Sequence, residues 1–569
     1  MVRITLVCAA LLAWGCDGVI GNAPHSGGSG DPRGGSSDPS ASAVGTLFAC
    51  DRPAPAPSTA RIVRLSGTQY AHAVDVLRKG RSADANRDRS GDASASPFQV
   101  PSSADRFSNL AGSYFIGEAE ASAVLEAASS MATGLASDLV NGGAPCAADG
   151  FDEECARSVV RQKGALLFGH ELGDDELDAY VSLATDPRVS ALGTEAAVTT
   201  VMEALLSSPS FLFRTEVGEP VGDGTYRLTP FEIASAISYT LTDGPPDAEL
   251  WNAAMDGRLA DPSEIEAQVW RLLGPLEENA ALERFIREYF MYGNVQSVAK
   301  DAQEFPFHDA RGLDEDTTLF VREALRQADT GSLIETLLTA DWGYARTGTA
   351  ESYNLSGGLP EDGSPELVSF VSGRRAGIMT QPSWLVAFSK FDHNNPIRRG
   401  KFIRESLLCG NIPAIDIGMI EPLVLSEDMT MRESLEQHQT DPSCIGCHSL
   451  MDPLGLAFAE FDHVGRERDI EAGRPVDATG EVTGSGSQDG PFDGAAELMS
   501  KLAASENVRQ CFVAHAYEYF RGTRRTSADG CALTEADEAL QAADGDFVAL
   551  ISSFFTSDEF LVRLPAEAQ

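Results

Sequence analysis

Cys444-Ile445-Gly446-Cys447-His448 is the segment whose residue types and spacing point most directly to a definite chemistry. Two thiols two residues apart can each form a thioether with a haem vinyl group. A histidine directly after the second thiol then lies under the iron as an axial ligand. Two other chemistries use a CxxC pair. A thioredoxin-like site opens a helix after a strand in a βαβ unit, and the flanking sequence has no such pattern. A zinc site needs a second CxxC or an HxxxH, and neither occurs in the chain. The motif therefore predicts one covalent haem c, held by Cys444 and Cys447 with His448 on the iron.

The neighbouring residues suggest how such a group is held. Met451-Asp452-Pro453-Leu454-Gly455 predicts a turn, with a backbone carbonyl such as that of Pro453 accepting the ring N–H of His448. Phe458 and Phe461 are candidate haem walls, with plain core packing as the alternative. Arg466, Arg468 and the Arg398-Arg399-Gly400-Lys401 cluster are candidate propionate partners. Solvated basic turns are the alternative, favoured for any single arginine. His438 is the candidate sixth iron ligand, with Met379, Met419, Met429, Met431 and Met451 as rivals. If no side chain takes that position, the iron is open to small ligands or peroxide. No GxSxG, HExxH, Walker A or GxGxxG motif is present.

The start of the chain bears on where this chemistry takes place. Arg3 precedes a short apolar run, Ile4 to Ala13, which is too short to span a bilayer and reads as a signal peptide. It ends Leu12-Ala13-Trp14-Gly15-Cys16, similar to a bacterial lipobox, so Cys16 is the expected lipidation site and segment 1–16 the leader. Residues 17–57 are rich in Gly, Ser, Pro and Asp and predict a disordered tether. The expected product is exported and anchored in the bacterial cell envelope by lipid alone, either in the periplasm or at the outer membrane. In an oxidising envelope, the six cysteines left after leader, lipid and haem are set aside suit three disulfides. Cys146–Cys155 and Cys511–Cys531 would each close a short loop, leaving Cys50 and Cys409 as the third pair.

Composition and pattern bound the scaffold. The formal charge is −42, from 85 acidic and 43 basic side chains, which argues against nucleic acid as a partner. Hydrophobic residues make up 43% of 569, enough for several folded domains. Ser66 reads as the N-cap of an amphipathic helix. Thr229-Pro230-Phe231-Glu232 is a capping box ahead of Ile233, Ile237 and Leu241. Asp261-Pro262-Ser263-Glu264 repeats the device ahead of Ile265, Val269, Leu272 and Leu273, and Val198, Val201, Met202 and Leu205 form another stripe. Alternating patterns are scarce apart from a short hairpin-like piece around Pro475 to Val482. The expected architecture is mainly α and multi-domain, with a small hairpin near the C-terminal region. The expected segments are helical domains over 58–145, 146–215 and 216–375, a haem-motif domain over 376–475, and a helical domain over 476–569.

From about Arg61 to Arg563 the chain resembles a tandem arrangement known as domains of unknown function 1587, 1595, 1592, 1588 and 1585. These occur in exported, cytochrome-like proteins of bacteria with large genomes. The resemblance rests on Arg64-Leu65-Ser66 with Gln69-Tyr70, Ser208-Pro209-Ser210-Phe211-Leu212-Phe213-Arg214, and Leu228 to Ala234. It continues through Pro396 to Lys401, the block from Cys444 to Gly455, Phe461-Asp462, Gly465-Arg466, and Gly494 to Leu498 leading to Cys511. The chain departs from the family pattern at Phe168-Gly169-His170-Glu171-Leu172 and at Ala459. The resemblance implies architecture and haem, and no reaction. Three functions follow as expectations. The favoured one is a mono-haem electron-transfer or redox protein whose helical part docks an envelope redox partner. The others are a peroxidase- or oxygenase-like haem enzyme, and a non-haem binding scaffold with Cys444–Cys447 as a structural disulfide.

Overall fold

The computed structural model describes residues 48–50, 57–80, 97–98, 106–111, 116–148, 150–222, 224–328, 331–412, 426, 428–438 and 442–565. Cys16, the leader, most of segment 17–57, Met419 and the side chain of His438 lie outside the described residues. Among the described residues, no helix is long and apolar enough to cross a membrane. The first elements are strands β1 (Ser58–Thr59) and β2 (Arg61–Arg64), then helix α1 (Gly67–Lys79). Ser66 caps α1 reciprocally: its hydroxyl accepts from the Gln69 amide while the Gln69 side chain accepts from the Ser66 amide.

The chain divides into two compact units. The first, over 125–164 and 172–208, is helical and draws on α2 (Glu118–Asp138), α3 (Glu153–Phe168), α4 (Asp174–Thr185) and α5 (Thr194–Leu206). The stripe Val198, Val201, Met202 and Leu205 is fully buried where α5 packs on α4. Cys146 is bonded to Cys155.

The second unit holds the remaining described residues. Its strands are few and short. β3 (Phe213–Glu216) pairs antiparallel with β2, while β4 (Glu219–Pro220) and β5 (Tyr226–Arg227) join the sheet that contains β1. Helix α6 (Pro230–Thr242) starts on the Thr229–Glu232 capping box and buries Ile233, Ile237 and Leu241. Asp261 caps α7 (Pro262–Leu273) through the Ser263 amide. Helix α8 (Ala280–Phe290) then meets α9 (Glu506–Arg521) and α10 (Phe547–Thr556) in an aromatic cluster of Phe285, Tyr289, Phe512, Phe520 and Phe547. Phe285 lies 5.6 Å from Phe512, and Phe290 lies 6.3 Å from Phe402, ring centre to ring centre. These contacts cross the boundaries expected near 376 and 476, so segments 216–375, 376–475 and 476–569 share one core.

Two of the expected disulfides are replaced. Cys409 is bonded to Cys511, and Cys50 to Cys531, 481 residues away. Loop length was a poor guide because Cys511 is fully buried within α9 beside Cys409 and Phe48, not aimed along the loop toward Cys531. The residues around Cys50 are thereby fastened to the fold: Thr534 donates its hydroxyl to the Phe48 carbonyl. Three disulfides fit folding in an oxidising, extracytoplasmic compartment.

The two ends of the second unit meet over one carboxylate. Strand β6 (Val562–Leu564) runs parallel to β1. Glu216, only 1% exposed, accepts two hydrogen bonds from Arg61, at 2.8 and 2.9 Å, and one from Arg563 at 2.6 Å. Burial pushes the Glu216 carboxyl up, but Arg61 and Arg563 outweigh it and hold the group well below the usual carboxylate range. Glu216→Gln leaves Arg563 fully buried without its anion and should cost about 3–5 kcal/mol in denaturant unfolding at neutral pH. Because the folded-state value is depressed, this stabilisation is complete above the unfolded carboxyl range near pH ~4.3 and is lost as pH falls. The gap between wild type and variant should therefore narrow in acid.

Candidate functional site

Helix Pro442–Leu456 carries the CxxCH motif, and the preceding helix Met431–His438 leads into it. Cys444 and Cys447 fall one turn apart, at i and i+3, so both sulfurs project from neighbouring positions of one helix. Cys444 is half-buried and Cys447 buried, and neither takes part in a disulfide. Burial, with Cys444 beside it, pushes the Cys447 thiol up.

His448 is mostly buried, and its Nδ1 lies 2.9 Å from Oδ2 of Asp452, whose side chain is 2% exposed. The pairing follows from helical spacing, since residues four apart are stacked neighbours. The expected turn over Met451–Gly455 is absent: the helix continues through Pro453. The Pro453 carbonyl instead sits against Gly480 of the hairpin Thr479–Val482 and Gly490–Asp493. Asp452 therefore takes the role expected of a backbone carbonyl. Its signal was visible as the His448-to-Asp452 spacing, but the following proline favoured a turn. A carboxylate on Nδ1 is the usual partner of a histidine that ligates a metal through Nε2.

The motif helix is fixed by an unusually close crossing. A Cβ on Gly400, in helix Pro396–Phe402, would strike the Met451 carbonyl, and one on Gly455 would strike the Pro396 carbonyl. Pro453 deprives the Ser449 carbonyl of its helical donor. Nearby, Arg404 reaches the Leu450 carbonyl at 3.3 Å and the Thr483 carbonyl at 2.6 Å, tying helix to hairpin. On the flank bearing Ser449, Asp452 and Pro453 lies an open cavity of about 740 Å³. Its walls include Glu436, Glu481, Asp493 and Glu497 against the single cation Arg432, a poor setting for anionic propionates.

The other candidates separate clearly. Phe458 and Phe461 are fully buried core. Phe458 packs on Trp384 at 5.2 Å, and the Arg375 guanidinium lies 4.9 Å from the Phe461 ring centre. Arg466 binds Asp462 and Glu351, and Arg468 binds the Ala459 carbonyl and Glu471. Arg399 is buried on the carbonyls of Leu385 and Phe458, Arg398 stacks over Phe388, and Lys401 faces Glu405. These groups serve the scaffold. Met379 is buried in the main core, and Met431 packs with Leu435 and Leu456.

Four family models match the chain in tandem. "Protein of unknown function (DUF1595)" matches residues 155–216 and DUF1592 matches 228–355. DUF1588 matches 375–471 and DUF1585 matches 489–560. The DUF1588 match spans Cys444, Cys447, His448 and Asp452, together with Gly400 and Gly455 of the crossing. Four of the five domains expected from the sequence are thus present. No curated protein and no solved structure matches the chain.

Helix propensity alone would make Gly455→Ala stabilising by about 1 kcal/mol. The collision with the Pro396 carbonyl should reverse the sign, giving a net loss of about 2 kcal/mol or more in denaturant unfolding. A neutral or stabilised variant would show that the crossing does not constrain the motif helix.

Proposed function

We propose that this chain, one of the proteins that carry domains of unknown function 1595, 1592, 1588 and 1585 in tandem, is a c-type haem protein of the bacterial cell envelope that exchanges electrons with a partner protein. The observation that carries the reading is a thiol pair and a carboxylate-anchored imidazole on one helix. Cys444 and Cys447 would hold the haem and His448 its iron, and the bound group would supply one redox-active centre. Asp452 would keep the ring proton on Nδ1, fix the plane of the imidazole and strengthen its donation through Nε2. A single centre of this kind passes electrons one at a time, so the reading includes an envelope redox partner docked by the helical scaffold.

In this reading Cys16 carries the lipid that holds the protein at the membrane surface. Cys16→Ala should move the protein from the membrane to the soluble envelope fraction. Unchanged fractionation, with no labelled lipid on the wild type, refutes the anchor.

Protein matured in a host with c-haem assembly should give a pyridine haemochrome spectrum and keep its colour through acid–acetone extraction. His448→Ala should lose most haem assembly, and Cys444→Ala should weaken or abolish attachment. Asp452→Asn should retain covalent haem but raise the reduction potential, because a less basic imidazole stabilises the ferric state less. Colourless wild-type protein from a competent host overturns the reading. Carbon monoxide or cyanide binding by the reduced or oxidised protein would place an open sixth position on the iron and favour enzyme chemistry over pure electron transfer.

A further inference from the structure

Far along the chain from the motif helix, a second cavity of about 310 Å³ opens inside the same unit, and it shares no lining residue with the acidic cavity. Two of the blocks that carry the family resemblance converge on it: Arg64, Ser66 and Gln69 from the first, and Arg214 from the second. Its electrostatics run against the chain as a whole. In a protein of formal charge −42, five arginines line this one cavity: Arg61, Arg64, Arg214, Arg284 and Arg521.

The carboxylates lining the cavity are already engaged. Glu216 is held by Arg61 and Arg563, and both oxygens of Asp243 accept from Arg284 at 2.8 Å. Glu288 accepts from the Ser108 amide, and burial pushes its carboxyl up, toward the neutral form. Of the five arginines, Arg214 has the most buried nitrogens without a hydrogen bond. Its Nε and Nη1 are buried and have no hydrogen-bond partner among the described residues. Its charge is offset at a distance by the Glu216 carboxylate, already shared by Arg61 and Arg563, and by the Tyr239 ring, 5.4 Å from the guanidinium carbon. Buried donors are almost always bonded, and a buried guanidinium with two unmatched N–H groups is costly enough to call for a ligand.

The remaining walls indicate the ligand's shape. Phe98, Tyr239, Phe520 and Phe560 supply aromatic surface. Gly67 and Thr68, the first two residues of α1, add amides that a helix cannot bond internally, in a first turn that carries no acidic side chain. A volume of about 310 Å³ lies at the lower end for small-molecule sites. We propose that this cavity binds a small carboxylic acid with a single aromatic or apolar body, its carboxylate on Arg214 and its body against the aromatic wall. A planar guanidinium matches a carboxylate through two parallel N–H bonds, whereas bare phosphate would leave the aromatic surface uncovered.

The site is independent of the haem reading and is tested by calorimetric titration of the full-length protein with benzoate, with inorganic phosphate as second titrant. Benzoate should bind saturably and at least about tenfold more tightly than phosphate. Arg214→Met should weaken benzoate at least about tenfold. Without benzoate, its melting temperature should be unchanged or raised, because two buried donors without hydrogen-bond partners are removed. If the methionine variant does not fold, Arg214→Lys keeps the charge, loses the planar fork and should show the same weakening. Three results overturn the proposal: no saturable benzoate binding below about 10 mM, phosphate binding as tight as benzoate, or full benzoate affinity in a folded Arg214 variant.

Discussion

Two helix backbones meet so closely at Gly400 and Gly455 that neither position has room for a Cβ. That contact sets the axis of the motif helix against helix Pro396–Phe402, and everything else at the site is measured from it. The two glycines forgo helix propensity, about 1 kcal/mol each relative to alanine, and Pro453 breaks the backbone ladder as well. A segment so poor in intrinsic helix-forming tendency holds together through its surroundings: the crossing helix on one side, the Arg404 bridge and the Thr479–Asp493 hairpin on the other. Helicity here is a consequence of packing. It is also what places Asp452 one turn beyond His448.

Charge is distributed unevenly through the molecule. The acidic excess is exposed on the surface and around the cavity beside Asp452. Arginines are drawn inward, where they bridge distant parts of the chain. Arg61, Arg563 and Glu216 join the start and end of the second unit, and Arg375 and Arg399 cap carbonyls from several segments. Such bonds contribute more to uniqueness than to net stability, because desolvating each guanidinium offsets much of the gain. Arg375 and Arg399 illustrate the cost, since burial pushes both guanidiniums down, Arg399 to about 9.

What the sequence made legible was local. The capping box at Thr229, the N-cap at Asp261, the stripe on α5 and the CxxCH spacing all depend on neighbours a few residues apart, and their helices form as expected, although Glu264 bonds Arg258 and Gln268 and not the Asp261 amide. The features that were not legible depend on distant partners. Proline and glycine within Met451–Gly455 favour a turn in isolation, and packing against the Pro396–Phe402 helix, the Arg404 bridge and the hairpin makes continuous helix the better solution. The Cys511–Cys531 expectation treated a short loop as proximity, whereas Cys511 faces Cys409 and Cys531 reaches Cys50. Phe458 and the Arg398–Lys401 cluster carry residue types suited to a cofactor, and the core claims them first.

An oxidising compartment, which the three disulfides fit, poses a chemical problem that this arrangement addresses. Six cysteines pair across separations of 9, 102 and 481 residues, while Cys444 and Cys447, close in sequence, remain thiols. Exchange proceeds through a thiolate, so the fraction of thiolate and its accessibility decide which sulfurs are drawn into disulfides. Cys447 is buried and its thiol is pushed up, which reduces both quantities at neutral pH. Cys444 is half-exposed, and the attack that would close a disulfide within the motif has to come through or against this protected partner. In the proposed haem-bearing protein, the fold that positions His448 against Asp452 thus also preserves the two thiols on which attachment depends.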